Sequence, residues 1–316
     1  VRDAATEADR RWLGDLAEAG GIAHGLRRAH PSGLIAAMRL MTKLRALYGR
    51  ESDTDVVHAN WLQVALPLWN SDTPLVATVL GTDYRLLSLP GMTAGLRRVF
   101  RQRRTALCPN AGWMVPGLEK RFGDIARIVP VPFGVDAGYF RIDRRPVTPA
   151  RWICVSRLTR AKIGDLFTWG EPCFAGGQRE LHLLGPMQES MTLPDWVHYH
   201  GPASQADLLG RWFPEATGLI SLSRHPEGRP QVMLEAMAAG LPIVASDLPA
   251  HLELIAAGQA GLICHSPGEL EAALSTVEST EGASIGARAR ANARAQYGSW
   301  EDCALRYEAI YRELIA

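Results

Sequence analysis

Two acidic residues around the start of a helix give the first indication of chemistry in this chain. In the segment 225–247, Glu227 and Glu235 are separated by seven residues, with Pro230 between them and Gly240 after them. Proline suits the start of a helix and glycine its end, so the pattern predicts a loop, a helix and then a buried strand. Glu227 then lies in the loop at the mouth of the helix, and Glu235 lies more than one turn inside it.

The start of this helix has the chemistry of a phosphate site. Free amides and the helix dipole favour an anion there, and the amides of Gln231 and Val232 are the expected donors. A carboxylate beyond the phosphates can accept both hydrogen bonds of a ribose diol, and one at the mouth can do the same for a sugar. The pattern therefore suits a nucleoside diphosphate. A buried structural glutamate with a plain capping loop is the alternative; it would be preferred for one isolated glutamate, whereas two in this frame favour a site.

Two cations upstream could neutralise the same diphosphate. Arg157 and Lys162 follow an apolar segment that predicts a strand, and they precede the two acids by roughly one half-domain of strand–helix units. An arginine can grip a phosphate with two parallel hydrogen bonds, whereas a lysine acts as a point charge. Most such pairs on their own are solvated surface. Their order before the two acids is what favours a binding site.

These motifs resemble those of the retaining glycosyltransferases of family 4 (group 1), which have the GT-B architecture. The stretch from Glu227 to Glu235 is similar to the family's E-x7-E signature, and Val155 to Lys162 is similar to its strand–Arg-Leu–x3–Lys element. Other parts of the chain resemble two strands of the family's first domain, the P-x-G-V-D element that closes that domain, and the last helix. These are residues 55–61, 74–83, 131–136 and 297–315.

The resemblance implies that a sugar moves from a nucleoside-diphosphate sugar to an acceptor hydroxyl with retention, without a metal and with no cofactor beyond the donor. It implies that Arg157 and Lys162 hold the diphosphate, that Glu235 holds the ribose and that Glu227 holds the sugar; Arg157, Lys162 and Glu227 are the expected catalytic residues. The other expected substrate-binding residues are Gln231, Val232, Gly228, Gly81, Asp83, His58 and Glu253. The acceptor is expected to be a saccharide or lipid-linked compound of envelope polysaccharide, glycolipid or glycoconjugate synthesis.

The chain departs from the family pattern at three places. Leu80 stands where the family commonly has a histidine near the donor sugar, Pro230 replaces a common glycine and removes one backbone donor, and Ile163 follows Lys162 in place of a glycine. These differences leave the sugar open. They also leave open a catalytically silent GT-B protein that binds a nucleotide sugar or a protein partner, and a phosphorylase or epimerase of the same architecture.

Strands and helices alternate from Asp55 onward, which predicts two doubly wound parallel α/β domains with a ligand cleft at the carboxyl ends of their sheets. His58 and Asp83 are expected at strand ends facing that cleft, and Glu253 could equally cap a helix. The segments 9–26 and 32–48 predict helices, so the first domain lacks its usual opening strand and more residues are expected upstream of Val1. The expected division is a first domain at 1–140 completed by a helix at 298–316, a polar hinge at 141–150 and a donor domain at 151–297.

Composition excludes several classes of protein. The 316 residues carry a net charge of +1, which argues against a dedicated nucleic-acid binder. The five cysteines have no zinc spacing and suggest reduced thiols and a cytoplasmic protein, and no apolar run is long enough for a membrane helix. The basic helix at 97–104 has two equal interpretations: a solvated face, or contact with anionic membrane lipid or a lipid-phosphate acceptor. His198 and His200 share one strand face, but no third ligand supports a metal site.

Overall fold

The computed structural model describes residues 31–49 and 54–316, so the helix expected at 9–26 lies outside the described residues. The chain forms two compact units. The first contains the described residues up to Val131 together with Tyr307–Ala316, and the second is Pro132–Arg306. The polar segment 141–150, expected as a hinge, lies inside the second unit. There the amides of Arg145 and Val147 donate to the carbonyls of Pro214 and Glu215 at 2.7 and 3.1 Å.

The first unit is built on a parallel sheet of four strands in the order β1-β2-β3-β4. The strands are β1 (Val57–Asn60), β2 (Leu75–Val79), β3 (Thr105–Pro109) and β4 (Arg127–Ile128). The helices are α1 (Pro31–Tyr48), α2 (Thr82–Leu86), α3 (Met92–Phe100) and α4 (Val115–Phe122), with 3₁₀ turns at Leu62–Leu68 and Gly112–Met114. Every residue of β2 and β3 is buried, as in parallel strands covered on both faces. The helix predicted at 32–48 is confirmed as α1.

The second unit is built on a parallel sheet of six strands in the order β10-β9-β8-β5-β6-β7. The strands are β5 (Ala150–Val155), β6 (Arg179–Leu184), β7 (Val197–Tyr199), β8 (Gly218–Ser221), β9 (Ile243–Ser246) and β10 (Gly261–Cys264). The alternation of strands and helices predicted from Asp55 onward is confirmed in this unit. From β5 the chain builds β6 and β7 on one side and then β8, β9 and β10 on the other. The topological switch therefore lies between β5 and β8, where ligands bind in open parallel sheets.

Short helices cover both faces of this second sheet. They are α5 (Arg160–Ile163), α6 (Leu166–Phe174), α7 (Gln205–Asp207), α8 (Phe213–Glu215), α9 (Gln231–Ala239), α10 (Pro249–Gly258), α11 (Pro267–Glu278) and α12 (Thr280–Asn292), with a 3₁₀ turn at Tyr139–Arg141 and π-helical turns at Leu208–Trp212 and Ala293–Tyr297. The last helix, α13 (Trp300–Ile315), begins in the second unit and ends in the first. The two parallel α/β sheets confirm the predicted fold class, although the strand order reverses only in the second sheet.

The basic helix α3 is less available to solvent than its composition suggests. Arg97 pairs with Asp124, with 2.7 Å between Nη1 and Oδ1. Arg103 is buried, and its guanidinium donates to backbone carbonyls, including that of Val99 at 3.1 Å. Of the five arginines between residues 97 and 104, three are exposed, namely Arg98, Arg101 and Arg104, so two of the five have a structural use. No helix in the described part of the chain is long and apolar enough to cross a membrane.

Candidate functional site

Helix α9 forms at the position that Pro230 and Gly240 predict for it. It runs from Gln231 to Ala239, directly after Pro230, and Gly240 ends it in the left-handed conformation at φ 69°. A residue with a Cβ is strained in that conformation, which explains the glycine. Because α9 follows the loop after β8, its amino end lies at the carboxyl edge of the sheet. The Gln231 side chain is already used there, since its Nε2 donates to the carbonyl of Gly134 at 2.9 Å.

Lys162 and Glu227 form an ion pair at this edge of the sheet. Lys162 lies on the short helix α5, which Thr159 caps by accepting a hydrogen bond from the Lys162 amide at 3.2 Å. Glu227 lies in the loop between β8 and α9. The two side chains are each 15% exposed, so the pair is largely withdrawn from water. The neighbouring strands β5 and β8 bring these distant residues together.

Glycine makes the approach of α5 to this loop possible. Gly164, directly after α5, has φ 56°, and a Cβ there would lie 1.9 Å from the carbonyl oxygen of Leu222. Two further hydrogen bonds join the same segments: the amide of Arg224 and the hydroxyl of Ser223 both donate to the carbonyl of Ala161, at 2.8 and 3.4 Å. The backbone contact therefore fixes the position of Lys162 relative to Glu227.

Arg157, expected to act with Lys162, is exposed in the loop after β5. Its Nη1 lies 3.4 Å from Oε1 of Gln188, a long hydrogen bond, and it forms no ion pair with an acid among residues 31–49 and 54–316. Arg157 therefore lies at the same edge of the sheet as Lys162, but the structure does not bring it into the Lys162–Glu227 pair.

Glu235 lies inside α9 in an environment that disfavours its charge. Burial raises the pKa of its carboxyl to about 7, while a hydrogen bond from the Tyr139 hydroxyl acts in the opposite direction and the nearby charge of Asp136 raises the pKa further. The pKa of Tyr139 is also raised, mainly by burial. Glu235 therefore lies close to Tyr139 and Asp136, and Asp136 is the last residue of the segment 131–136 that resembles a closing element. A carboxyl in this setting is a hydrogen-bonding group whose charge state changes near neutral pH.

Glu253 does not cap a helix, and its expected contact with the substrate stays a prediction. It lies in α10, where it forms an ion pair with Arg229, whose guanidinium also stacks over the ring of Tyr297 at 4.9 Å. The Arg229 side chain is only 5% exposed. Glu253 is the fifth residue of α10 and so lies beyond the capping positions of that helix. Gly228 lies in the loop between Glu227 and Arg229, so this second ion pair fixes the far end of that loop.

His251 belongs to this region and was missed by the sequence analysis. It is fully buried, and its Nδ1 lies 3.0 Å from the carbonyl of Ser246, which can only accept; the proton is therefore on Nδ1. Nε2 is buried and has no hydrogen-bond partner among the described residues. Burial lowers the pKa of His251, and the charges of Glu227 and Lys162 act on it in opposite directions. The only indication of His251 in the sequence was its position between the end of a predicted strand and Glu253.

The other three candidates lie in the first unit. His58 is the second residue of β1, so the expectation that it ends its strand was wrong. Its ring nitrogens are 2.5 Å from the Tyr311 hydroxyl and 2.7 Å from Oγ1 of Thr78, which ties β1 and β2 to α13. Burial lowers the pKa of His58. These contacts give it a structural use.

Asp83 and Gly81 form the turn after β2. Asp83 is fully buried; its carboxylate accepts from the amides of Leu80 and Leu62 at 2.8 and 3.2 Å, and burial raises its pKa to about 6. Gly81 has φ 104°, a conformation that glycine adopts without steric strain. Asp83 thus joins two loops at the carboxyl edge of the first sheet, and both its oxygens have backbone partners.

A stack is formed by His182 of β6, His198 of β7 and His200, which directly follows β7. Nδ1 of His182 is 2.9 Å from Nε2 of His200, and Nε2 of His182 is 3.0 Å from the Glu180 carboxylate. The ring centroids of His182 and His198 are 4.9 Å apart. No group of three or more His, Cys, Asp or Glu side chains in the part of the chain that the structure describes is arranged to hold a metal ion.

Comparison with known proteins indicates a group 1 glycosyltransferase, which is the class that the sequence motifs resemble. Residues 165–279 match the model of the family "Glycosyl transferases group 1", a segment of the second unit that contains Glu227, Glu235 and Glu253 but not Arg157 or Lys162. No curated protein matches the chain by sequence. The match supports the resemblance to group 1; assignment to family 4 and retention of configuration stay predictions.

Solved structures establish the fold. A sucrose-phosphate synthase from Thermosynechococcus elongatus has a TM-score of 0.68 at 17% identity, over 88% of this chain and 79% of that one. HepE from Anabaena in complex with UDP-glucose has a TM-score of 0.68 at 15% identity, over 86% and 82%. A UDP-forming trehalose-phosphate synthase from Burkholderia xenovorans has a TM-score of 0.70 at 13% identity, over 90% and 80%. The chain therefore has the GT-B fold.

Proposed function

We propose that this protein is a glycosyltransferase that moves a sugar from a nucleoside-diphosphate sugar to an acceptor hydroxyl. The observation that carries the proposal is the Lys162–Glu227 pair at the amino end of α9, on the carboxyl edge of the second sheet. This is the position where a doubly wound sheet binds nucleotides. The group 1 match over residues 165–279 supports the same class of reaction.

The donor diphosphate would lie between Lys162, Arg157 and the first turn of α9. The amides of Gln231 and Val232 have no partner within the helix, so they can donate to a phosphate, and the helix dipole favours the anion. As the bond between sugar and phosphate breaks, negative charge grows on the diphosphate. The two cations and the helix end stabilise that charge, so no metal is needed.

The two glutamates would bind the two sugars of the donor, which are the transferred sugar and the ribose. Glu227 lies next to Lys162, so its carboxylate can accept hydrogen bonds from the transferred sugar while the ammonium contacts the diphosphate. Glu235 lies just over one turn into α9, where its carboxylate can accept hydrogen bonds from both hydroxyls of the ribose. Glu253, through Arg229, would keep the loop that carries Glu227 and Gly228 in place.

Retention, the acceptor and the cellular setting belong to this proposal as well. The UDP and UDP-glucose named with the HepE structures make uridine donors the first to test. A lipid-linked or saccharide acceptor for envelope polysaccharide or glycoconjugate synthesis follows from the resemblance. Contact with an anionic membrane from the cytoplasmic side would use Arg98, Arg101 and Arg104, the exposed arginines near α3.

The test has a binding arm and a turnover arm. Thermal shifts with UDP, GDP and ADP identify the base, and a ligand at a hundredfold its Kd adds about 2.7 kcal/mol of stability. Lys162→Ala should remove the shift, whereas the control Lys120→Ala, an exposed lysine on α4, should keep it. Turnover of donors is then followed with candidate acceptors, and NMR of the product anomer tests retention. Binding without turnover of any donor would identify the catalytically silent protein. A shift that survives Lys162→Ala would refute the placement of the site.

A further inference from the structure

A cavity of about 790 Å³ lies in the second unit, on the side of the sheet away from the candidate donor site. Its lining includes Thr217 and Pro242, which come directly before β8 and β9. These positions mark the amino ends of the strands, whereas Lys162 and Glu227 follow their carboxyl ends. The cavity is therefore a separate place on the same sheet, and its volume is typical of pockets for small molecules.

Three arginines line this cavity, and we name it the arginine cavity after Arg144, Arg290 and Arg294. Arg290 and Arg294 are four residues apart, so they project from the same side of α12 and the turn that follows. Arg294 is exposed, and its guanidinium stacks over the ring of Phe140 at 4.9 Å. Arg144 reaches in from the segment 141–150, where it donates to the carbonyl of Gly240 at 2.7 Å.

The positive charge of these arginines is only partly balanced by carboxylates, since burial lowers the pKa of Arg290 and the charge of Asp143 acts to raise it. Within residues 31–49 and 54–316, none of the three forms an ion pair. The two acids of the lining are paired elsewhere: Asp143 with Arg145 at 2.7 Å and Glu278 with Arg179 at 2.7 Å. The lining therefore carries three positive and two negative side chains, and both acids form their ion pairs with arginines outside the lining.

A bound anion would add to the negative charge that faces these arginines. Burial and then the charge of Arg290 lower the pKa of Arg144 to about 10, and burial and then the charge of Arg294 lower that of Arg290. A bound anion would offset the repulsion between the arginines, although not their burial, because an opposite charge favours the charged form of each arginine. Arginine forks match the oxygens of a phosphate group, and bidentate pairs of this kind are strong.

We propose that the arginine cavity binds a small phosphate ester, with the phosphate at Arg290 and Arg294. The rest of the ligand would lie against the apolar lining, which includes Pro146, Val277 and Ala283. The site is also connected to the candidate donor site through one element. Arg144 and Arg290 donate to the last carbonyls of α9, those of Gly240 and Ala239, so the cavity lies at the carboxyl end of the helix whose amino end faces the donor diphosphate.

Isothermal titration of the full chain with inorganic phosphate and with glucose 6-phosphate tests this proposal. The ester should bind more tightly than phosphate alone, because it also covers the apolar lining. Arg294→Ala should weaken binding of the ester about tenfold or more, since a hydrogen bond to a charged group is lost. Arg290→Gln should weaken it similarly. Arg288→Ala is the matched control: this exposed arginine of α12 bonds Ser284 at 2.7 Å and does not line the cavity.

Lys162→Ala separates this cavity from the candidate donor site, because the affinity for the ester should be unchanged in that variant. Arg294 makes no backbone hydrogen bond through its side chain in the described structure, so Arg294→Ala keeps the test valid if Arg290→Gln fails to fold. No binding of either probe at millimolar concentration would overturn the proposal. Equal affinity in the wild type and Arg294→Ala, or loss of binding only in Lys162→Ala, would overturn it as well.

Discussion

The charge state of Glu235 provides a quantitative test of the candidate site. Its pKa of about 7 compares with an ordinary value of 4.5. The folded chain therefore keeps a proton between these pH values that the unfolded chain releases. Because the pKa of Glu235 is higher in the folded chain, its contribution to the stability of the folded chain is greatest below pH 4.5. That contribution falls as the pH rises to about 7. Each pH unit corresponds to about 1.4 kcal/mol, so the upper limit of the effect is about 3 kcal/mol.

The variant Glu235→Gln removes this titration and keeps the shape of the side chain. We expect Glu235→Gln to gain stability relative to the wild type between pH 5 and pH 8, by up to about 3 kcal/mol, with partial exposure reducing the figure. Urea denaturation at both pH values measures the difference, and a ¹³C titration of the Glu235 carboxyl measures its pKa directly. Tyr139→Phe removes the hydroxyl that stabilises the carboxylate, so it should raise that pKa further. An equal difference at both pH values, with a carboxyl titrating near 4.5, would refute the reasoning.

The same group links pH to ligand binding. A ribose diol donates both hydroxyls, so it needs the carboxylate rather than the protonated acid. Nucleotide affinity in the wild type should therefore rise as the pH increases through about 7, and Glu235→Gln should bind weakly at every pH. Affinity for UDP measured at several pH values would show this, and a pH-independent affinity in the wild type would contradict a ribose contact at Glu235.

Three further predictions concern the elements around the site. Lys162→Ala and Glu227→Ala should each destabilise the second unit by about 1 to 3 kcal/mol, and the double variant by less than the sum; denaturation of all four proteins measures the coupling, and strict additivity would exclude an ion pair. Gly164→Ala should cost more than about 2 kcal/mol and weaken UDP binding, because its Cβ would lie 1.9 Å from the Leu222 carbonyl; a melting temperature like that of the wild type would contradict this contact. His58 has a lowered pKa, so its contribution to stability is present above pH 6.5 and is lost as the pH falls below it; thermal melts of the wild type and His58→Gln should converge at low pH.

The sequence allowed the central parts of the site to be predicted for a topological reason. Apolar runs predicted β5 and β8 as buried strands. Residues that follow parallel strands lie at the same edge of a sheet. Lys162 and Glu227 therefore came together although nothing in the local sequence joins them. Pro230 and Gly240 fixed the ends of α9 because each has a conformational preference that does not depend on packing.

The features that sequence did not reveal depend on burial and tertiary hydrogen bonds. Arg103 looks like part of a solvated basic helix, yet it is buried among backbone carbonyls. The polar segment 141–150 looks like a linker, yet its amides and Arg144 are hydrogen-bonded within the second unit. His251 carries no spacing signal, since its importance arises from the fully buried ring and the orientation set by Ser246. Composition indicates polarity at such positions but not the partner that the polar group finds.

The neighbouring positions of β5 and β8 have a consequence for synthesis of the chain on the ribosome. Trp152 of β5 pairs with Gly218 of β8. Lys162 forms its ion pair with Glu227, which lies 65 residues later in the chain. Until those residues emerge, one edge of β5 has no strand beside it and presents unsatisfied backbone groups to other chains. A translational pause between these two segments would prolong that exposure, so slow codons placed there should lower the yield of folded protein.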